Sequence, residues 1–548
     1  MTATTTAPRT AAAAPHPGGA WTGTGRLLRL ALRRDRVRTP IWVLALTLTT
    51  AITVPSLEAA FTDAAGRQAR TELVTNPAGV MMTGPVFGDG LDSLGAMVAN
   101  EISLTLLVAA AIMSILLVVR HTRAEEEAGR ADLVRAQAVG RFAPPAAALL
   151  AAGVADLGVA VGVIAGLQGY GLPLADTIAF GVAVGLTGLV FAAVAGVTAQ
   201  LTTSARAASG MALAVLGGAF LVRGIGDVID ITGSALSWFS PLAWAQQTRL
   251  FVDLRWWPLG LSLAAVVALT ALAAALNRRR DLGGALLAGG AGRAEAAAWL
   301  ASPAGLAWRV QRGTFWGWAA GVIVGGVAFG SLASYLEDAV TDLPALQEWM
   351  AIELDAITET FGAMMLLYLV LAIGGYAIAA VLRLRAEETA GTAALVIVGG
   401  PGRLRWLRGW SGVIAAQLLA LLLLAGVGLG VGMALSTGDG GHVAAMTAAA
   451  VTYLPGVLVM AAVTAALFAA WPSGAPLAWA VEAYALVVGF FGELLDLPEW
   501  AQDVSPLSAT PFAPAEEVTT LPLLVLSALA VGLAAVAVAA FRARDVRG

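Results

Sequence analysis

Apolar runs long enough to cross a bilayer recur along the 548-residue chain, separated by short polar segments. A membrane-crossing helix takes about 20 predominantly apolar residues. The pattern predicts spans over 40–58, 98–119, 144–168, 177–201, 208–223, 257–277, 314–335, 361–382, 409–435, 443–470, 476–495 and 520–541. The fifth run is the shortest, and a helix re-entering from the far side would lengthen it. The fold class expected is an all-α polytopic membrane protein of about twelve transmembrane helices.

Composition narrows this further. Hydrophobic residues make up 58% and charged residues 12%, with mean hydropathy +0.80. Soluble domains carry about a quarter charged residues, so a water-soluble enzyme is excluded, as is a disordered or fibrous chain. No cysteine is present, which removes thiol catalysis, disulfides and iron–sulfur clusters. The three histidines, His16, His121 and His442, lie far apart, and no metal site is expected. All 32 basic residues are arginine. A P-loop needs a lysine on the β/γ-phosphates, so this chain carries no ATPase site of its own. Residues 1–20, rich in Ala, Thr, Pro and Gly, read as a disordered tail with no secretory core.

Charge sets the direction of the chain. Arginine-rich short loops stay in the cytoplasm. With the N-terminus inside, the inner segments hold Arg26 to Arg38, Arg120 to Arg141, Arg278 to Arg312, Arg383 to Arg408 and Arg542 to Arg547. The outer side keeps Arg67, Arg70, Arg223, Arg249 and Arg255. Both termini are therefore expected in the cytoplasm of a plasma (inner) membrane protein.

The chain is also duplicated. Arg123-Ala-Glu-Glu-Glu-Ala-Gly129 recurs as Arg385-Ala-Glu-Glu-Thr-Ala-Gly391, each time just after the second span of its half. Gly140-Arg141 recurs as Gly402-Arg403, and Ser240-Pro-Leu242 as Ser505-Pro-Leu507. Arg29 and Arg33 before the first span resemble Arg309 and Arg312 before the seventh. The expected organisation is a tail (1–20), one six-span repeat (21–277), a cytoplasmic linker (278–301) and a second repeat (302–548). An even span number makes the repeats parallel, related by an axis along the membrane normal, with a pathway on that axis.

One copy of the charged motif alone is a solvated inner loop. Its recurrence points instead to a short cytoplasmic helix that docks on a partner, with Arg123/Glu127 and Glu126/Arg130 as i,i+4 pairs. Thr22 to Arg38 alternates leucine with arginine and reads as an interfacial helix at the anionic inner leaflet, turning at Pro40.

These features resemble the permease subunit of an ABC exporter of the polyketide-antibiotic type, in its fused twelve-span branch. The resemblance covers about residues 22–541, with an elbow helix at 22–38 and coupling helices at 123–141 and 385–403. It implies two copies of a separate ATP-binding subunit, which would carry ATP and Mg; this chain binds no cofactor. The coupling residues implied are Arg123, Glu125, Glu126, Glu127 and Gly129, then Arg385, Glu387, Glu388 and Gly391. Thr389 departs from Glu127, which implies unequal coupling by the two halves. The family's pathway runs along the second and fifth spans of each half, which here contain Met113, Phe220, Met364, Met365 and Tyr368. Amphipathic or apolar small molecules, drug-like or antibiotic, would be the cargo. Membrane lipid is a further partner; no nucleic acid is expected.

Glu101, Asp156 and Glu482 fall within or near spans, where ionisable groups are functional candidates. They support a second reading, a proton-coupled secondary multidrug transporter, which shares the architecture of two parallel six-span halves. Gly181/Gly185 and Gly428/Gly432 have the spacing of close helix contacts. The aromatic stretch 236–257 reads as an interfacial belt.

Overall fold

The structure, a computed structural model, describes residues 19–61, 64–75, 77–87, 93–280, 284–287, 295–334, 354–400, 402–491, 498, 500 and 504–544. Among these the regular elements are all helical. Eleven helices are long and apolar enough to cross a membrane, and one shorter apolar helix covers Ala475–Gly489. The predicted span at 476–495 falls on that short helix, and its last residues lie outside the described ones. The chain divides into two compact units, Met1–Gly292 and Arg293–Gly548. Residues 1–18 of the expected tail also lie outside the described residues.

In the first unit, α1 (Thr24–Arg34) precedes α2 (Arg38–Ala60). The turn falls at residues 35–37, before Pro40, which sits in the first turn of α2, where its missing N–H costs nothing. Two shorter helices, α3 (Ala64–Thr75) and α4 (Pro77–Thr83), lead to α5 (Leu94–His121), which Ser93 caps by accepting from the Ala96 N–H at 3.2 Å. The short helices α6 (Arg123–Glu127) and α7 (Arg130–Arg135) follow. Then come α8 (Ala143–Gln168), α9 (Leu174–Leu201), α10 (Ala205–Ile229), α11 (Pro241–Gln246) and α12 (Trp257–Arg279). Helix α9 is the hub, packing against α5, α8 and α12. Its small residues permit this. A methyl group on Gly181 would lie 2.6 Å from the Ala160 carbonyl of α8, so the Gly181/Gly185 spacing marks a real close contact.

The fifth span departs from expectation. It is not the shortest: α10 runs 25 residues. Arg223, which the charge pattern had placed outside, lies on α10 fully buried, 3.2 Å from the equally buried Asp227. It also donates to the Val80 carbonyl at 3.3 Å and to that of Met81. Asp227 accepts the Ser237 hydroxyl at 2.6 Å. Paired, hydrogen-bonded charge can be buried where lone charge cannot, so the helix continues past the point where hydropathy drops.

The second unit opens with α13 (Pro303–Gly330) and continues with α14 (Leu354–Thr389), α15 (Thr392–Val398) and α16 (Gly402–Thr437). It closes with α17 (Gly441–Thr452), α18 (Leu454–Ala470), α19 (Ala478–Phe491) and α20 (Thr520–Ala543). Arg309 and Arg312 lie near the start of α13, which has no break like that between α1 and α2. The Gly428/Gly432 face of α16 meets α13: a methyl on Gly432 would lie 2.4 Å from the Val327 carbonyl. Each unit encloses its own apolar core.

Candidate functional site

The charged motif of the first unit is a knot of ion pairs built around two short helices. Gly129, at φ +70°, ends α6 and starts α7. That left-handed turn is cheap only for glycine. It also removes the i,i+4 pairs expected of one continuous helix. Arg123 pairs instead with Glu126 at 2.8 Å, and Arg130 with Glu125 at 2.9 Å.

The three glutamates hold three different elements. Glu125 takes two nitrogens of Arg130, at 2.9 and 3.0 Å, and Arg34 of α1 at 2.9 Å. Its carboxylate keeps the Arg130 guanidinium above the ordinary arginine value. Glu126 takes both terminal nitrogens of Arg280, at 2.8 and 2.7 Å, just past the end of α12. Glu127 accepts the Ala205 N–H at 2.8 Å, at the first turn of α10, where a carboxylate meets the positive end of the helix dipole. Arg123 is buried beneath them and donates to the Ala199 carbonyl at the end of α9. Asp35, after α1, meets Arg120 at 3.1 Å and His121. Of the carboxylates that the sequence offered to a partner's basic groups, Glu125 and Glu126 are thus held by this chain's own arginines and Glu127 by a backbone amide.

The second unit repeats part of this knot. Helix α14 runs unbroken through the motif, and Gly391 stands at φ +75°, matching Gly129. Glu388 takes both terminal nitrogens of Arg544, at 2.5 and 2.7 Å. Glu387 meets Arg383 at 2.6 Å and accepts the Thr392 hydroxyl at 2.6 Å, where the first copy uses Arg130. Arg385 is half-buried, whereas its counterpart Arg123 is sealed. Thr389, in the place of Glu127, bonds only to the Arg385 and Ala386 carbonyls of its own helix.

One feature of both copies is left uncovered by the rest of the chain. Leu133 on α7 is 73% exposed, and Leu395, its counterpart on α15, is 76% exposed.

The expected pathway residues do not share one environment. Met113 is sealed in the first core. Phe220 lies under the Arg223 guanidinium, 5.3 Å from its ring centroid. Met364 is exposed, while Met365 and Tyr368 pack half-buried against the second core. Glu101 is near the N-terminal end of α5, exposed and 3.0 Å from Arg70. Asp156 is buried on α8 and takes the Ser114 hydroxyl at 2.7 and 2.9 Å. Glu482 is buried against Gly374 and Gly375, and its Oε2 has no hydrogen-bond partner among the described residues.

Sequence reasoning passed over Arg280 and Arg544, counting them only as inner positive charge. The available signal was their position: each lies in the arginine cluster that ends the last span of its half.

The geometry defines a polytopic all-α membrane protein of two units that repeat one charged motif. Residues 300–542 match the family model described as "Multidrug efflux system permease Rv1217c, C-terminal domain". Over 540 residues, 97% of each chain, the protein is 37% identical to the multidrug efflux system permease protein Rv1217c of Mycobacterium tuberculosis (strain ATCC 25618 / H37Rv). The chain belongs to this family of multidrug efflux system permeases.

Proposed function

We propose that this chain is the membrane subunit of an ATP-driven ABC exporter, moving amphipathic or apolar drug-like molecules out across the plasma membrane. Two copies of a separate ATP-binding subunit, carrying ATP and Mg, dock beneath 123–141 and 385–403. Both termini face the cytoplasm. The observation that carries this reading is the matched pair Leu133 and Leu395, an exposed leucine at the same position of each cytoplasmic motif. An exposed apolar residue by itself needs no explanation. The same one held out twice, on scaffolds that consume their own charges, suits insertion into a partner's groove. In this reading the glutamates shape the element and the leucines engage the ATPase. The family name of the relative, a multidrug efflux system permease, supports cargo export. The lack of lysine supports a motor on another chain.

Gentle purification from native membranes tests this. A nucleotide-binding ATPase should co-purify at two copies per chain, and be lost when Leu133→Asp and Leu395→Asp are combined. Retention of the ATPase by that variant removes the docking assignment. Glu482, buried with one oxygen that has no hydrogen-bond partner among the described residues, favours the second reading, a proton-coupled transporter. In that case export would stop with a protonophore and with Glu482→Gln, whereas an ATP-driven exporter keeps working when the proton gradient is collapsed.

A further inference from the structure

The Glu126–Arg280 pair does not stand alone. Arg141, at the start of the third span, donates to the Arg280 carbonyl at 2.8 Å. In the second unit Arg403 donates to the Arg544 carbonyl at 2.9 Å, while Glu388 grips the Arg544 guanidinium. So the same three residues recur: a motif glutamate, an arginine ending the last span, and a Gly-Arg arginine holding that arginine's backbone. The surroundings differ. Arg280 also donates to Gln200 at 2.8 Å. Arg544 instead lies over Phe468 and Phe541, 5.0 and 5.1 Å from their ring centroids. The neighbours changed chemistry between the copies while the triad kept its geometry. Packing alone would not keep three positions and let their surroundings drift.

We infer that each triad is a strut, joining the coupling element to the last span of its half so that the two move as one body throughout transport. Arg280 and Arg544 are then positioning residues. A push delivered to α6–α7 reaches α12 directly, and one delivered to the end of α14 reaches α20, not only the second and third spans on which the motif is threaded. Bidentate arginine–carboxylate pairs suit this, since they fix orientation as well as distance. Both are largely withdrawn from water, where a broken pair leaves a charge uncompensated.

This inference rests on the exporter reading, and the test separates the two. The chain has no native cysteine, so Glu126→Cys with Arg280→Cys, and Glu388→Cys with Arg544→Cys, can be joined by a short bis-methanethiosulfonate without background. The full chain with its ATPase subunit is studied in proteoliposomes. In the Glu126→Gln, Glu388→Gln variant, drug exported per ATP hydrolysed should fall about tenfold, whatever the change in total ATP turnover. Charge reversal, Glu126→Arg with Arg280→Glu, should recover part of the first-unit loss. Cross-linking the cysteine pairs should restore export, and reductant should remove it again. Unchanged export per ATP in the glutamine variant overturns the strut, as does cross-linking that halts export until reductant is added. Wild-type export that needs no ATP overturns the exporter reading instead. The cross-link comparison still reads the strut there, because it compares export with and without the link whatever the energy source.

Discussion

Asp156 on α8 receives the Ser114 hydroxyl of α5 between its two carboxylate oxygens, at 2.7 and 2.9 Å, inside the first bundle. Space for this carboxylate comes from Gly188 on α9, where a methyl group would stand 2.1 Å from Oδ1. Gly188→Ala is expected to force the two helices apart, costing about 1–3 kcal/mol as overpacking does. The thermal midpoint of the detergent-purified protein should fall. Combining it with Asp156→Ala should recover most of the loss; an additive double mutant would show that the carboxylate is not what the methyl meets.

Arg223 and Asp227 offer a sharper contrast. Arg223→Met leaves the Asp227 carboxylate buried with only the Ser237 hydroxyl. Breaking a buried pair costs about 3–5 kcal/mol, while replacing both partners by apolar residues is often neutral. Arg223→Met should therefore lower folded yield severely, and Arg223→Met with Asp227→Leu should restore it. Fluorescence-detected gel filtration of the three proteins decides the matter.

Glu127 and Thr389 occupy matching positions with different partners. Glu127→Ala removes the acceptor at the first turn of α10 and should cost about 1 kcal/mol, as lost helix caps do. Thr389→Ala removes only bonds to its own helix and should lie within about 0.5 kcal/mol of wild type. Equal shifts in the two thermal midpoints would contradict this division.

The two motifs are expected to contribute unequally to ATPase binding. Glu125 ties α6 to both Arg130 and Arg34 of the elbow, whereas Glu387 reaches only Arg383 and Thr392 nearby. Glu125→Ala with Glu126→Ala should reduce co-purifying ATPase more than Glu387→Ala with Glu388→Ala. All four together should abolish export. Wild-type export by the quadruple variant would end the coupling assignment for both motifs.

The amino-acid sequence by itself settled the class of this protein. Spans are legible because a helix in lipid must be apolar along about 20 residues, a local property of the chain. The repeat was legible too, since Arg-Ala-Glu-Glu and Gly-Arg recur as strings, and both motif glycines stand at matching positive φ. What sequence could not supply was the partner of each charge. Hydropathy cut the fifth span at Arg223 because it counts that charge alone, while the fold sets Asp227, Ser237 and two α4 carbonyls around it. The glutamates of the motif looked free for a partner because Arg34 and Arg280 are remote in the chain. Whether a buried or half-buried charge is a cost, a strut or a docking group depends on what lies within about 3 Å of it, and only tertiary structure decides that distance.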